Sequence, residues 1–286
     1  MILQTALRRA RGEVLLATTG SIVFTAVLLL GALPGFSQRT PRKAALNAAL
    51  LRAAAKNRTA EVKSLLAKGA NPNAKGLLGY TPIMLLALHP KLDAAAVQAL
   101  QKVGGSIDAL DTAGTTALMH ACTNGSDSEA GVLLTRGAKA NIADPNGSTA
   151  LLTAAEQGGE KIVPLLLAHG AKVDVQNRAG QTALFLTTAA PAGHFALTRK
   201  FYLMRVHVMQ MLLGKGANVS LKSRNGLTPL MMAAGNENVE MVEALLKQHA
   251  DVTARDANGM TALKLALQHK SSEATIRLLK QAGAQE

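Results

Sequence analysis

The side chains here with most capacity for metal or nucleophilic chemistry are seven histidines and one cysteine, and their spacing argues against both. The histidines are His89, His120, His169, His194, His207, His249 and His269. No two form a His-x-x-x-His pair, and a lone cysteine rules out Cys-x-x-Cys, so zinc lacks its usual ligand spacing. His120 and Cys122 stand two apart. On a helix that spacing points them away from each other, so they make no nucleophile–base pair. Cys122 is predicted to be a small core residue. His169 and His249 each close a predicted helix, where an imidazole meets the negative pole. The 25 glycines fall at turns and helix ends, and none builds a phosphate loop. Glu237, Glu240 and Glu243 run at spacing three and read as the solvated face of one helix. Only the stretch holding His194, Arg199, Lys200 and Tyr202 gathers ionisable groups, too few for a reaction centre. The expectation is a protein without catalytic activity, metal or cofactor.

What positions these residues is a repeated phrase, Gly-x-Thr-(Pro/Ala)-Leu. It occurs at Gly114–Met119, Gly147–Leu152, Gly180–Phe185, Gly226–Met231 and Gly259–Lys264, with a looser copy at Gly79–Met84. The threonines Thr81, Thr116, Thr149, Thr182, Thr228 and Thr261 are 35, 33, 33, 46 and 33 residues apart. A fixed period of this size means stacked small units. A second phrase keeps the same beat, a Leu-rich segment and then Gly-Ala, as at Leu133-Leu134-Thr135-Arg136-Gly137-Ala138. Within each unit, Asp111…Gly114, Asp144…Gly147, Asn177…Gly180 and Asp256…Gly259 suit type I turns. The following Thr caps a helix, with Pro82 and Pro229 at its first position. A break such as Asn124-Gly125 follows, then a second helix ended by a left-handed glycine such as Gly137. Pro164 predicts a kink or a shortened second helix.

With these phrases in this order, residues 44–286 resemble the ankyrin-repeat family. The resemblance implies an all-α solenoid of paired helices joined by hairpin turns, in seven units at about 40–75, 76–110, 111–143, 144–176, 177–222, 223–255 and 256–286. The family's usual His after Thr-Pro-Leu is replaced by Met84, Met119, Leu152, Phe185, Met231 and Lys264. Since that His bonds backbone between repeats, its loss implies less rigidity. The first unit lacks the turn phrase, and its helix is read as a polar cap carrying Arg42, Lys43, Arg52, Lys56 and Arg58.

Residues 1–37 stand apart. Arg8, Arg9 and Arg11 precede Val14–Phe36, 23 residues without a charge, and Gly31, Pro34, Gly35 and Ser37 close the run. Basic, apolar, then small and helix-breaking is the order of an export signal. No Ala-x-Ala is present, and 23 residues are enough to span a bilayer. The expectation is therefore a signal peptide or an N-terminal apolar anchor helix, with 38–286 as the repeat domain in the periplasm or otherwise outside the cytoplasm. A cytosolic chain with an apolar tail is the third reading.

The net charge of +13 is uneven. Residues 38–75 hold nine Lys and Arg against one Glu, and 177–222 hold six against none. The cations of 38–75 lack interleaved aromatics, so nucleic acid is not expected. Arg39, Arg42, Lys43 and Arg52 are candidate contacts to anionic lipid, with a solvated cap helix as the plainer alternative. The 46-residue gap marks a 13-residue insertion near Pro191–Leu203, in which Phe195, Phe201 and Tyr202 flank Arg199 and Lys200. Aromatic and arginine residues are common interface anchors, so Phe195, Arg199, Phe201 and Tyr202 are candidate partner contacts. The alternative is a lengthened second helix that packs Phe201 and Tyr202 on Phe185. The family resemblance puts partners on the concave side, at turn tips, where Asn146, Arg178, Gln181, Arg224 and Asn225 are the polar candidates. The function expected is a scaffold that binds another protein there. The alternative is a scaffold attached to a membrane surface through the basic first unit.

Overall fold

In the computed structural model, residues 42–189 and 199–285 are described. The expected signal or anchor at 1–37 and the lipid candidate Arg39 lie outside them, as do Phe195 and His194. The described residues divide into two compact units, unit 1 ending at Thr112 and unit 2 beginning at Ala113. Unit 1 holds α1 (Arg42–Ala55), α2 (Thr59–Ala67), α3 (Pro82–Ala87) and α4 (Ala94–Lys102). Unit 2 holds α5 (Ala117–Thr123), α6 (Asp127–Thr135), α7 (Ala150–Glu156), α8 (Ile162–Ala168), α9 (Ala183–Thr188), α10 (Arg199–Gly214), α11 (Pro229–Gly235), α12 (Val239–Lys247), α13 (Ala262–Gln268) and α14 (Glu273–Gln281). The described residues contain no strand, only an isolated antiparallel bridge between Ala143 and Thr149.

The layout runs from neighbour to neighbour. In unit 1, α1 packs on α3 and α2 on α4. In unit 2 the odd-numbered helices α5, α7, α9, α11 and α13 stack in order, and the even-numbered helices do the same. Leucine and alanine fill the layers between them. Leu118, Leu151, Leu184, Leu230 and Leu263 recur at one place in successive first helices and are essentially inaccessible, with Ala121, Ala154, Ala233 and Ala266 beside them. Helices of six or seven residues are too short to stand alone in water, so their stability comes from these shared interfaces.

Each first helix begins where the Thr phrase predicts. The Thr81, Thr116, Thr182, Thr228 and Thr261 hydroxyls accept from the backbone N–H three residues on, each such cap being worth about 1 kcal/mol. Thr149 makes no such bond. Two of the methionines that replace the family's His take up a polar duty. The backbone N–H of Thr81 donates to Met84 Sδ and that of Thr228 to Met231 Sδ, each at 3.4 Å. A thioether is a weak acceptor, so this closes the capping box without restoring a link between units.

Two sequence expectations change, and at Pro164 the shortened helix is the alternative found. Lys56 and Arg58 follow the end of α1 at Ala55 and are not on the cap helix. Glu237 lies before α12 in a left-handed turn (φ 59°), so it does not share a helix face with Glu240 and Glu243. Pro164 produces no kink. It sits in the first turn of α8, where its missing N–H would have had no helical acceptor, and the helix is shortened to seven residues.

Left-handed glycines end the second helices as expected, with His249 (φ 57°) in the place of one of them. Two kinds of glycine are distinguishable. Gly170 (φ 79°) has open space where a Cβ would stand, whereas a Cβ on Gly180 (φ 73°) would stand 2.8 Å from the Arg224 nitrogen. Gly170→Ala is expected to lower stability by about 1 kcal/mol through backbone strain alone, and Gly180→Ala by about 3 kcal/mol because the next hairpin must also shift. Urea unfolding of the two variants checks the difference; equal losses would show that the hairpins are not held this close.

Candidate functional site

The hairpins between successive repeats are the surface with most preset polar geometry. In unit 2 four of them share one plan. Asp144 Oδ1 accepts from the N–H groups of Asn146 and Ser148, and Asp256 Oδ1 from those of Asn258 and Met260, all at 2.8 Å. Asn177 Oδ1 does the same for Ala179 and Gln181. Ser223 replaces the acid in the remaining hairpin, and its Oγ accepts from Leu227 N–H at 3.2 Å. These are the turns that the Asp…Gly spacing predicts, and each leaves its two central residues exposed.

Successive tips are joined through their backbones. The Arg178 N–H donates to the Asn146 carbonyl (2.7 Å), Arg224 to Ala179 (2.7 Å) and Ala257 to Asn225 (2.9 Å). Pro145 occupies the donor place of its hairpin and has no N–H to give. Side chains add a second stitch one residue earlier. Gln176 Nε2 reaches both the Gly180 and Lys222 carbonyls, and Lys222 Nζ reaches the Arg255 carbonyl at 3.1 Å. In unit 1, Lys75 Nζ reaches Leu110 O in the same way at 3.0 Å. Below the tips, Asn141 and Asp174 hold the Gly-Ala segment of the following unit through Lys172 and Asn218.

The structure therefore brings Asn146, Arg178, Arg224 and Asn225 together on bonded, exposed hairpin tips. Gln181 is different: it is half-buried, and its amide oxygen accepts from Asn177 Nδ2 (3.0 Å), so its side chain is spent inside its own turn. Neither Arg178 nor Arg224 forms an ion pair among the described residues.

The insertion candidates separate. Residues 190–198 are not described, while Arg199–Leu203 belong to α10, which at 16 residues is nearly twice the length of the other second helices. Arg199 and Lys200 are exposed, and Phe201 and Tyr202 are half-buried. Phe201 lies beside Gly158, where a Cβ would come within 3.7 Å of its ring, and the Arg205 guanidinium stands 5.8 Å from the ring centroid. The Tyr202 hydroxyl donates to Glu240 on α12. Burial first, and then the Glu240 carboxylate, raise the Tyr202 hydroxyl above its ordinary value. Arg205, 4% exposed, donates to the Leu186 carbonyl at the end of α9. Burial draws its guanidinium down to about 10, against the pull of Glu156. Asn236 and Asn238 hold the Thr188 carbonyl. The last carbonyls of α9 are thus clasped from two neighbouring elements, a constraint that nothing in the local sequence signalled.

Three of the groups with chemical capacity have structural surroundings. Cys122 is fully buried, and burial pushes its thiol up to about 12. His120 Nε2 lies 3.3 Å from Thr115 Oγ1, and His169 Nδ1 meets the Leu165 carbonyl at 2.9 Å. In unit 1 the lipid candidates Arg42, Lys43 and Arg52 are exposed on α1. No helix among the described residues is long and apolar enough to cross a membrane.

A family model described as ankyrin repeats (3 copies) matches residues 50–144, 127–201 and 201–285. No curated protein matches the chain.

Tyr202→Phe is expected to lower stability by about 1 kcal/mol at neutral pH, the worth of one hydrogen bond to a charged acceptor. Because the folded state holds the hydroxyl protonated, that contribution is fully present below the ordinary tyrosine value and is lost as the pH rises from there through the raised value of the folded state. Paired urea titrations at neutral and strongly alkaline pH check the sign; a loss independent of pH would remove the Glu240 bond from the account.

Proposed function

We infer, since this chain belongs to the ankyrin-repeat family, whose members generally mediate protein–protein interaction, that it is a non-enzymatic scaffold binding a partner protein along the hairpin tips of unit 2. The observation that carries this is the row of backbone bonds from Asn146 to Arg178, Ala179 to Arg224 and Asn225 to Ala257. It sets exposed Asn and Arg side chains in a fixed series, so a partner need not order the loops, and less binding energy is lost to entropy. Arg178 and Arg224 carry positive charge without a carboxylate partner among the described residues, and guanidinium forks favour planar carboxylates. The partner surface that fits is therefore one presenting Asp or Glu. The seven-unit division of 38–286 accompanies this reading, supported by the period of the Thr phrase. Arg199, Phe201 and Tyr202 fall behind the hairpins as candidates, because Phe201 and Tyr202 already have internal contacts.

The partner is best sought by affinity capture with the full chain and mass spectrometry. Against the captured protein, the double substitution Arg178→Glu and Arg224→Glu is expected to weaken binding about a hundredfold, two charged contacts at roughly 1.4 kcal/mol each, with unchanged thermal melting. Full affinity in a variant that melts normally would remove the tips from the interface.

Export or tethering outside the cytoplasm belongs to the same proposal. Its support is the order Arg8–Arg11, then the uncharged 14–36, then Gly35 and Ser37. N-terminal sequencing of the mature protein is expected to read from near Gln38 if the segment is a signal, or to retain residues 14–36 in a membrane fraction if it is an anchor. Recovery of the intact chain from cytosol would contradict both.

A further inference from the structure

Unit 1 presents a hairpin unlike those of unit 2. It turns through Leu77 and Leu78, each 53% exposed, and Leu110 on the adjoining hairpin is 41% exposed. At the matching tip positions unit 2 has Pro145 and Asn146, Arg178 and Ala179, Arg224 and Asn225, and Ala257 and Asn258. Leu78 is also held at φ 56°, ψ 17°. That left-handed region favours glycine or asparagine and costs a leucine about 1 kcal/mol. Its carbonyl accepts from the backbone N–H and the Oγ1 of Thr112, both at 2.9 Å, bonds that any residue at 78 could accept. Backbone geometry therefore does not account for leucine here, and about half of each side chain is left to solvent.

Charge points to an environment for these leucines. No Asp or Glu occurs from Val62 to Leu92, and residues 42–112 carry ten Lys and Arg against four Asp and Glu. Lys75, exposed, directly precedes the turn. The side chain of Leu51 on α1 lies against Gly76, whose Cβ would stand 3.3 Å from it, and the next residue on that helix, Arg52, is exposed. The carboxylate of the adjoining hairpin, Asp111, is only 9% exposed and lies near Tyr80. In sequence the uncharged run 14–36 ends six residues before the first residue of α1. An exposed apolar tip beside Lys75, whose Nζ also reaches the Leu110 carbonyl, in a unit with an excess of cations, matches a bilayer interface, where acyl chains receive the leucines and anionic headgroups the cations.

We propose that Leu77 and Leu78 insert into the interface of an anionic membrane, with Lys75 and Arg52 on its headgroups. This is a second contact of the molecule, separate from the partner surface of unit 2 and independent of it.

The test uses the full chain with Leu78→Cys carrying an environment-sensitive dye; buried Cys122 does not compete for the label. Vesicles of phosphatidylcholine with about one third phosphatidylglycerol are compared with phosphatidylcholine alone. The expected result is a blue shift on the anionic vesicles only, quenched by lipids brominated at shallow acyl positions. The double substitution Leu77→Asn and Leu78→Asn is expected to weaken vesicle affinity about tenfold, while melting at or above the wild-type temperature because asparagine suits the Leu78 backbone. Lys75→Glu is expected to remove much of the preference for anionic lipid. The proposal is overturned if the dye stays in water while the chain sediments with vesicles, since residues 1–41 would then carry the attachment. No sedimentation, an equal shift on neutral vesicles, or wild-type affinity in the double variant overturns it too. A shift that appears only on adding the captured partner protein assigns the finger to a protein groove instead.

Discussion

A helix of six or seven residues cannot hold itself together in water, and most first helices here are of that size. Each is ordered by the apolar faces of the helices before and after it. Leucine and alanine suit this, because thin layers leave little room for aromatic rings, and the chain has no tryptophan. The same dependence reaches the surface. Where Arg224 N–H meets Ala179 O, the loop of one repeat of unit 2 is completed by the loop of the previous repeat. Stability and the presentation of exposed side chains therefore rest on the same contacts between neighbours.

Much of this was legible in the sequence because it depends on local chemistry. Thr before a short apolar run caps a helix whatever surrounds it, and Asp three residues ahead of Gly makes its own turn. The family, the helix pairs and the hairpin tips followed from those residues. What depends on distance across the stack was not legible. Nothing near Arg205 indicates that it clasps the end of α9, and nothing near Tyr202 names Glu240 as its acceptor. Spacing alone put Glu237 on a helix, and only the left-handed turn before α12 removes it. Gln181 was a reasonable contact by position, but Asn177 takes its amide oxygen. The hairpin of Leu77 and Leu78 begins with Gly76 and so lacks the Asp, Asn or Ser acceptor that marks the other turns.

The two units present different chemistry at equivalent positions. The tips of unit 2 carry amides and guanidiniums on a backbone fixed by hydrogen bonds, a surface suited to directional polar recognition. The corresponding hairpin of unit 1 carries exposed leucines beside Lys75 instead.

Amide hydrogen exchange of unit 2 tests most directly whether neighbouring hairpins complete one another. Arg178, Arg224 and Ala257 have exposed side chains on surface turns, and isolated turns of this kind would exchange within moments. The account predicts slow exchange at these three N–H groups, comparable to that of the capped helices they adjoin, because each is bonded to the preceding tip. Exchange as fast as that of an unstructured peptide would contradict it, leaving the hairpins as independent loops with no preset surface between them.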